Sequence, residues 1–561
     1  LTRNRSHKKH HRNHNLVTMW ILQTLFLLLI SAVLFSGYSS LKILGVFGHP
    51  GKSHFDVFKP LVEELARRGH DVTVLSYYPR SGTDKTKEPL TNYKDISLLS
   101  ENVTAFVNVV DLKMIDHSAF RVFKELVNLR IMATIGCENG LRNTRVKEFM
   151  NSGEKFDVIL TESFNTDCFL AIVHKFKAPY LALSSHVIMS WTNSRFGNPQ
   201  ETSYMPVIFQ GLPRPMNFLE KLVNVGTTWL VNTVYEVVYH WIDQRLADEF
   251  YGPGLPDLRE IARNATAILL NTHHTLLGAR PFLPNLIEVG GLHIPTKTNP
   301  LPEDVRQFLD DASEGVLYFN LGSMIKASSM PREQVEMILR VIGSLPRKVI
   351  WKWEVDDLPH KPKNVLVRKW LPQFDILSHP NVKCYLGHGG LLGLSEGVYN
   401  GVPMVLIPMF GDQFHNAAAA ETRKVAVVLK YKQLEEQSLR NALDEVFNNT
   451  RYRENAQKLS KAYRDRAASP LETAVWWTEY IARGNGLPYL KSEAANLPSY
   501  QRHLYDVTFF LLLVSLVSLY LLHRITKLFF SMLFRATTTS SASSKTKPKS
   551  SGDRKRSKKQ D

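Results

Sequence analysis

"LKILGVFG" (41–48) is a nearly unbroken apolar run. Residues 55–68 then repeat apolar side chains at helical spacing, and "HDVTVLSYY" (70–78) is a second apolar run. Strand, helix and strand within about 40 residues form a βαβ unit, which requires a parallel sheet covered on both faces. The pattern continues in "FDVILTE" (156–162), "APYLALS" (178–184), "ATAILLNTHH" (265–274) and "NLIEVGGLHIP" (285–295). A polar, Pro-rich stretch, "HIPTKTNPLP" (293–302), reads as a linker. The alternation then restarts in "GVLYFNLGS" (315–323), "KVIWKWE" (348–354), "VLVRKW" (365–370), "KCYLGHG" (383–389) and "VPMVLIPMF" (402–410). The expectation is an α/β protein with two doubly wound, Rossmann-like domains facing a cleft. Ligands in such sheets bind beyond the carboxyl ends of the strands.

Both ends read as addresses. An uncharged apolar run follows Met19 and gives way to Ser36, Gly37, Ser39 and Ser40, so residues 19–40 are expected to be a signal peptide and 1–18 an upstream extension. Residues 507–522 carry no charge and are followed by Arg524 and Lys527, which can snorkel, so a transmembrane helix is expected over 504–530. The tail, 531–561, is basic and Ser-rich, which marks the cytosolic side and leaves the body lumenal. Sequons at Asn102, Asn264 and Asn448 suit a lumenal body. Lys558 and Lys559 resemble a dilysine signal for retrieval to the endoplasmic reticulum. The chain's net charge is +17, but residues 1–18 hold +5 and residues 523–561 hold +9. A body near neutrality argues against a nucleic-acid partner. The cysteines, Cys137, Cys168 and Cys384, follow no metal-ligand spacing and read as structural thiols, with one disulfide at most.

The glycine-rich "YLGHGGLLGLSEG" (385–397) nearly fits a dinucleotide fingerprint. Its glycines are one residue too far apart, and the acid at the right distance, Asp412, falls in a loop. A nicotinamide-dependent oxidoreductase is therefore disfavoured. Read as one unit, residues 370–416 hold W-x-P-Q, H-P, H-x-G, a glutamate, G-V-P and D-Q in order. This stretch resembles the donor-binding signature of the UDP-glycosyltransferases. "NTD" at Asn165 and "HGGLL" are most similar to the insect branch. With the signal, the C-terminal span and the basic tail, the resemblance covers the chain from Met19 onward.

The resemblance implies a B-type glycosyltransferase fold. It assigns residues 41–290 to acceptor binding, 291–304 to a linker and 305–455 to the UDP-sugar, with helices over 456–503 packing back on the body. Trp370 is expected to stack on uracil, and the backbone at Leu371 and Gln373 to meet the base edge. Gly389, Gly390, His388 and Ser323 are expected at the diphosphate, Glu396 at the ribose, and Asp412 and Gln413 at the sugar hydroxyls. Leu391 and Leu392 stand where many relatives place a polar phosphate contact. His54 is the expected general base, with His49 as a weaker candidate. Glu162 is its expected carboxylate partner, and Asp167 the alternative.

The expected reaction is an inverting transfer of a hexosyl group, most simply glucose, from a UDP-sugar to a hydroxyl of a small lipophilic acceptor such as a steroid, phenol or other xenobiotic. The UDP-sugar is a co-substrate, and neither cofactor nor metal is expected. Aromatic and aliphatic residues in 186–206 and in the helical stretch 218–250 are candidates for acceptor selection. A catalytically inactive, membrane-anchored binding protein of the same fold is the alternative. Homo-oligomerisation is left open.

Overall fold

The computed structural model describes residues 20, 40–80, 89–99, 107–115, 118, 120–356, 358 and 360–542. The signal-peptide segment (save Trp20 and Ser40), the sequon at Asn102, and Lys558 and Lys559 lie outside the described residues. The chain divides into two compact units at Asn496.

The first unit contains two large sheets whose strands all pair in parallel, and a small parallel pairing of Val110–Asp111 with Ile325–Lys326. The first comprises β1 (Lys42–Phe47), β2 (Asp71–Ser76), β3 (Tyr93–Ser97), β4 (Val158–Glu162), β5 (Tyr180–Ser184), β6 (Ala267–Leu270) and β7 (Leu286–Glu288). Its spatial order is β3-β2-β1-β4-β5-β6-β7. Helix α1 (Lys52–Arg67) follows β1, α2 (Arg121–Arg142) precedes β4, and α3 (Phe218–Val234) and α4 (His240–Tyr251) run on through one π-helical segment at Tyr235–Tyr239.

The second sheet comprises β8 (Val316–Asn320), β9 (Lys348–Lys352), β10 (Val365–Arg368), β11 (Val382–Gly387), β12 (Met404–Leu406) and β13 (Ala426–Val428), in the order β10-β9-β8-β11-β12-β13. Its site helices are α5 (Gln373–Leu377), α6 (Leu391–Tyr399) and α7 (Gln413–Thr422). Both strand orders reverse once, between β1 and β4 and between β8 and β11. Each reversal opens a crevice at the carboxyl ends of the strands.

Burial on both faces explains the continuous apolar runs. In β1, Ile43 and Phe47 join one core cluster with Phe55, Phe58, Leu61 and Leu65 of α1. Leu44 and Val46 point the other way, into a cluster with Cys137 and Leu141 of α2. Helix α8 (Thr450–Arg464) packs on α6 of the second sheet. Helix α9 (Pro470–Arg483), N-capped by Ser469, returns to the first sheet and buries Ala474, Val475 and Ile481 against the α1 side.

The cysteines use the one disulfide that the sequence allowed. Cys137 of α2 and Cys168, just beyond β4, form a disulfide, and Cys384 is buried and free. They lie 31 residues apart without a recognisable motif, and only the packing of α2 against the first sheet brings them together.

The second unit contains α10 (Tyr505–Ala542). Its segment Tyr505–Arg535 includes an 18-residue stretch with a mean hydropathy of 2.0 and is exposed along its length, so that by length and composition it can span a membrane. The apolar segment runs beyond the expected end at residue 530.

Candidate active site

His54 lies in the first turn of α1, directly over the crevice beside β1, and Glu162 is the last residue of β4 across it. The His54 Nδ1 is 2.6 Å from Glu162 Oε1. The Ser185 Oγ, just past β5, lies 2.9 Å from the same nitrogen, and its hydroxyl also hydrogen-bonds the Glu162 carboxylate. Burial lowers the His54 pKa to about 3 and raises that of Glu162. The imidazole is thus neutral at physiological pH. The carboxylate selects the tautomer in which Nδ1–H donates, and Nε2 carries the lone pair.

Two further histidines surround this pair. His49 packs edge-on to His54 with ring centroids 4.0 Å apart, and its buried Nδ1 has no hydrogen-bond partner. Burial, reinforced by His54, lowers His49 to about 3. His186 Nδ1 bonds Ser184 Oγ and Val187 O, while its buried Nε2 has no partner. Phe164 touches all three rings.

Asp167, the alternative carboxylate, does not reach His54. Both its oxygens accept from Arg195, at 2.8 and 2.5 Å, and its backbone N–H donates to Asp243. It is one half of a buried structural ion pair.

At the second sheet, Ser323 lies in the loop after β8, and His388 and Gly390 lie between β11 and α6. His388 is wedged between glycines. A Cβ at Gly322 would fall 2.6 Å from its Cε1, and one at Gly390 would fall 2.4 Å from its Nε2. Gly390 caps α6 without any side-chain hydrogen bond, so the N–H groups of the first turn have no capping acceptor. Leu391 is buried, and Leu392 packs against the core of the first sheet. The two leucines therefore hold the helix start against the other domain. Gly389 stands behind the wall. Its φ is +82°, and its carbonyl accepts from Asn416.

The cation at this end was not anticipated. Lys352, the last residue of β9, is 3% exposed. Its Nζ donates to Gly322 O (2.9 Å), Asn108 Oδ1 (3.1 Å) and Glu354 Oε1 (3.1 Å). Burial, and then the charge of Lys352, lower His388 to about 4. Asn108 also donates its N–H to the Ser323 carbonyl, so a loop of the first domain braces this end of the cleft.

The remaining expected residues border the same space. Trp370 is 55% exposed, with Lys52 Nζ 5.4 Å from its ring centre, and Leu371 is buried beside it. Gln373 accepts from Asn320 and donates to Glu396 at 2.8 Å, which engages its side chain and leaves the backbone for a ligand. Burial raises Glu396 to about 7 and Asp412 to about 6. Asp412 accepts from Asn416 at 2.8 Å. Gln413 Oε1 accepts from the backbone N–H groups of Met409 and Phe410, so only its amide N–H groups remain for a sugar.

One cavity of about 1110 Å³ joins the two ends. His54 and Ser185 line one side, and Ser323, Lys352, His388 and Asp412 the other. Phe123, Val127, Ile131 and Met132 of α2 give it an apolar flank. Among the described residues, none of 218–250 lines it. That helix instead buries Val231, Tyr235 and Tyr239 and exposes Phe218 and Trp229. From residues 186–206, His186 and Met189 reach the cavity. Among the described residues, no cluster of His, Cys, Asp or Glu is arranged to hold a metal ion. The sequon asparagines Asn264 and Asn448 are exposed.

Residues 46–539 match the family described as UDP-glucoronosyl and UDP-glucosyl transferase. UDP-glycosyltransferase UGT5 of the insect Dactylopius coccus is 36% identical over 492 residues, covering 86% of this chain and 91% of that protein. UDP-glucosyltransferase 2 of the same insect is 34% identical over 493 residues, covering 87% and 93%. Among solved structures, the glycotransferase of kitacinnamycin superposes with a TM-score of 0.53 at 18% identity, over 80% of this chain and 99% of its own. That likeness concerns the fold, two parallel-sheet domains of the B type. With sequence and fold in agreement over most of its length, the chain belongs to the UDP-glucuronosyl and UDP-glucosyl transferase family and is a glycosyltransferase.

Proposed function

We propose that this enzyme transfers glucose from UDP-glucose to a hydroxyl of a small lipophilic acceptor, with inversion at the anomeric carbon and His54 as general base. The observation that carries this reading is the placement of His54 Nδ1 2.6 Å from Glu162, in the same cavity as the donor-signature residues. The acceptor hydroxyl gives its proton to His54 Nε2, and the Glu162 carboxylate stabilises the imidazolium. The acceptor oxygen attacks the anomeric carbon as the bond to the UDP oxygen breaks, so an α-linked donor yields a β-glycoside. UDP departs with the bonding pair. Its growing charge meets Lys352, His388, Ser323 and the first-turn N–H groups of α6.

Trp370 offers a face to uracil, Glu396 accepts from the ribose, and Asp412 with the Gln413 amide reads the hexose. The apolar flank of α2 supports a lipophilic acceptor. Likeness to an insect UDP-glucosyltransferase supports glucose over glucuronate. We further assign the body to the lumen of the endoplasmic reticulum, anchored by α10. The disulfide and the exposed sequon asparagines support that assignment.

The test offers purified protein several UDP-sugars with a panel of lipophilic alcohols and phenols and measures released UDP. Transfer from UDP-glucose to such an acceptor is expected. Release of UDP with none of them would reject the reading.

A further inference from the structure

Helix α2 of the first domain places a carboxylate at the sugar end of the cleft. Glu125 Oε1 accepts from Arg121 at 3.2 Å, while its Oε2 is buried and has no hydrogen-bond partner. Both residues line the cavity that Gly411 and Asp412 line from the second domain. The carboxyl is close enough to the 411–412 turn to feel both the Gly411 N–H and the Asp412 charge. Arg121 does not offer a free cation there. Its second guanidinium nitrogen donates to Phe209 O at 2.9 Å, and its plane lies 3.7 Å from the ring centre of Phe414, one residue past Gln413. The guanidinium thus ties α2 to the start of α7 and leaves one carboxylate oxygen of Glu125 without a hydrogen-bond partner in the wall between the domains. Burial, opposed by the charge and hydrogen bond of Arg121 and by the Gly411 N–H, raises Glu125 to about 7.

We propose that Glu125 is a donor-specificity residue, which with Asp412 encloses the hexose between two carboxyl groups, accepts from its hydroxyls and disfavours a uronate. This rests on the donor-site reading above. A hexuronate would add a third carboxylate to a space that already holds two. Such like-charge contact is strongly unfavourable, or forces protonation at a comparable cost. A neutral hexose brings only hydroxyls, which suit the free Oε2.

The test measures donor hydrolysis, which needs no acceptor, and calorimetric binding of UDP, UDP-glucose and UDP-glucuronate, in wild type, Glu125→Gln and Glu125→Asp. Glu125→Gln is expected to raise the kcat/KM ratio of UDP-glucuronate to UDP-glucose by at least about tenfold. The affinity for UDP, which lacks the hexose, should stay within about twofold. An unchanged ratio in a variant with wild-type UDP affinity would overturn the proposal, and so would wild-type preference for the glucuronate. If Glu125→Gln does not fold, Glu125→Asp is read in its place. Its carboxylate is withdrawn by one methylene, so the ratio should rise, and a wild-type ratio overturns the proposal. If wild type cleaves no donor, the transfer reading fails on its own. The binding arm then still decides Glu125, with equal affinity of wild type for the two sugars counting against it.

Discussion

His54 and Glu162 are 108 residues apart in the chain, and their side chains meet at 2.6 Å. The contact exists because β1 and β4 are neighbours at the strand-order reversal of the first sheet. If this pair performs the proton transfer, His54→Ala lowers turnover by about 10²–10⁴-fold and leaves UDP affinity intact, since the donor residues sit on the other sheet. Glu162→Gln should lower turnover strongly. Asp167→Asn should act differently, because it breaks a buried pair with Arg195. Removing one partner of such a pair costs about 3–5 kcal/mol, so a lower Tm is expected rather than a specific loss of kcat. Steady-state rates and thermal melts on the three variants separate the roles. Wild-type turnover in His54→Ala would remove it from the chemistry.

The pH dependence of donor binding should report Glu396. Burial raises its pKa to about 7, and if it accepts from the ribose as proposed, the ionised carboxylate is the stronger acceptor. Ligand binding therefore favours the deprotonated form, and affinity should rise with pH. If only the carboxylate form binds, the gain from pH 6 to 8 approaches about tenfold. UDP-glucose is the right probe, because its diphosphate does not titrate in that range. Calorimetry at the two pH values checks this, with Glu396→Gln as a control whose slope should fall without vanishing, because Glu125, raised to about 7, and Asp412, raised to about 6, titrate in the same window beside the hexose. The same slope in the Gln variant would assign the titration elsewhere. His54, lowered to about 3, is too far below this window to be its source.

Much of the fold was legible in the sequence, for a physical reason. Parallel strands buried on both faces read as unbroken apolar runs, and "VKCYLG" and "VLYFN" became β11 and β8. Strands at the two edges did not announce themselves. "YKDIS" of β3 is half polar, and "AVV" of β13 is three residues long. Motifs marked most of the residues that the structure brings to one cavity. Ser185 and Lys352 were missed because nothing local marks them. Lys352 sits inside "KVIWKWE", where it reads as strand, and its role depends on Asn108 of the other domain, 244 residues away. A lysine at the carboxyl end of a parallel strand was the available signal. Gln413 shows the opposite limit. A motif names the residue, but only the folded loop shows that its carbonyl is held by the Met409 and Phe410 N–H groups.

The Cys137–Cys168 disulfide ties α2, which carries the apolar flank of the cleft, to the segment leaving β4. It closes a loop of 31 residues, for which the chain-entropy contribution is about 3–4 kcal/mol. The double variant Cys137→Ala/Cys168→Ala should melt several degrees lower than the oxidised protein, and added reductant should lower the melting temperature of wild type but not of the variant. Equal melting of wild type with and without reductant, after thiol titration confirms reduction, would show that the bond contributes nothing.

The proposed lumenal compartment rests on the same disulfide together with α10. An oxidising lumen forms and keeps such a bond, and a cytosolic body would be held reduced. If the body is lumenal, the cleft lies across a bilayer from the cytosol, where UDP-sugars are made. A nucleotide sugar carries charges that a hydrocarbon layer excludes, so it cannot cross unaided. Sealed microsomes should then show latent transfer, limited by donor entry, and a mild detergent should raise it several-fold. Protease added outside sealed vesicles should remove only the segment beyond α10, leaving the body and its activity intact. These two measurements are independent, since one reads donor access and the other reads chain exposure. Full activity in sealed vesicles, together with digestion of the body from outside, would place the cleft in the cytosol. It would also mean that residues 19–40 do not act as a signal peptide.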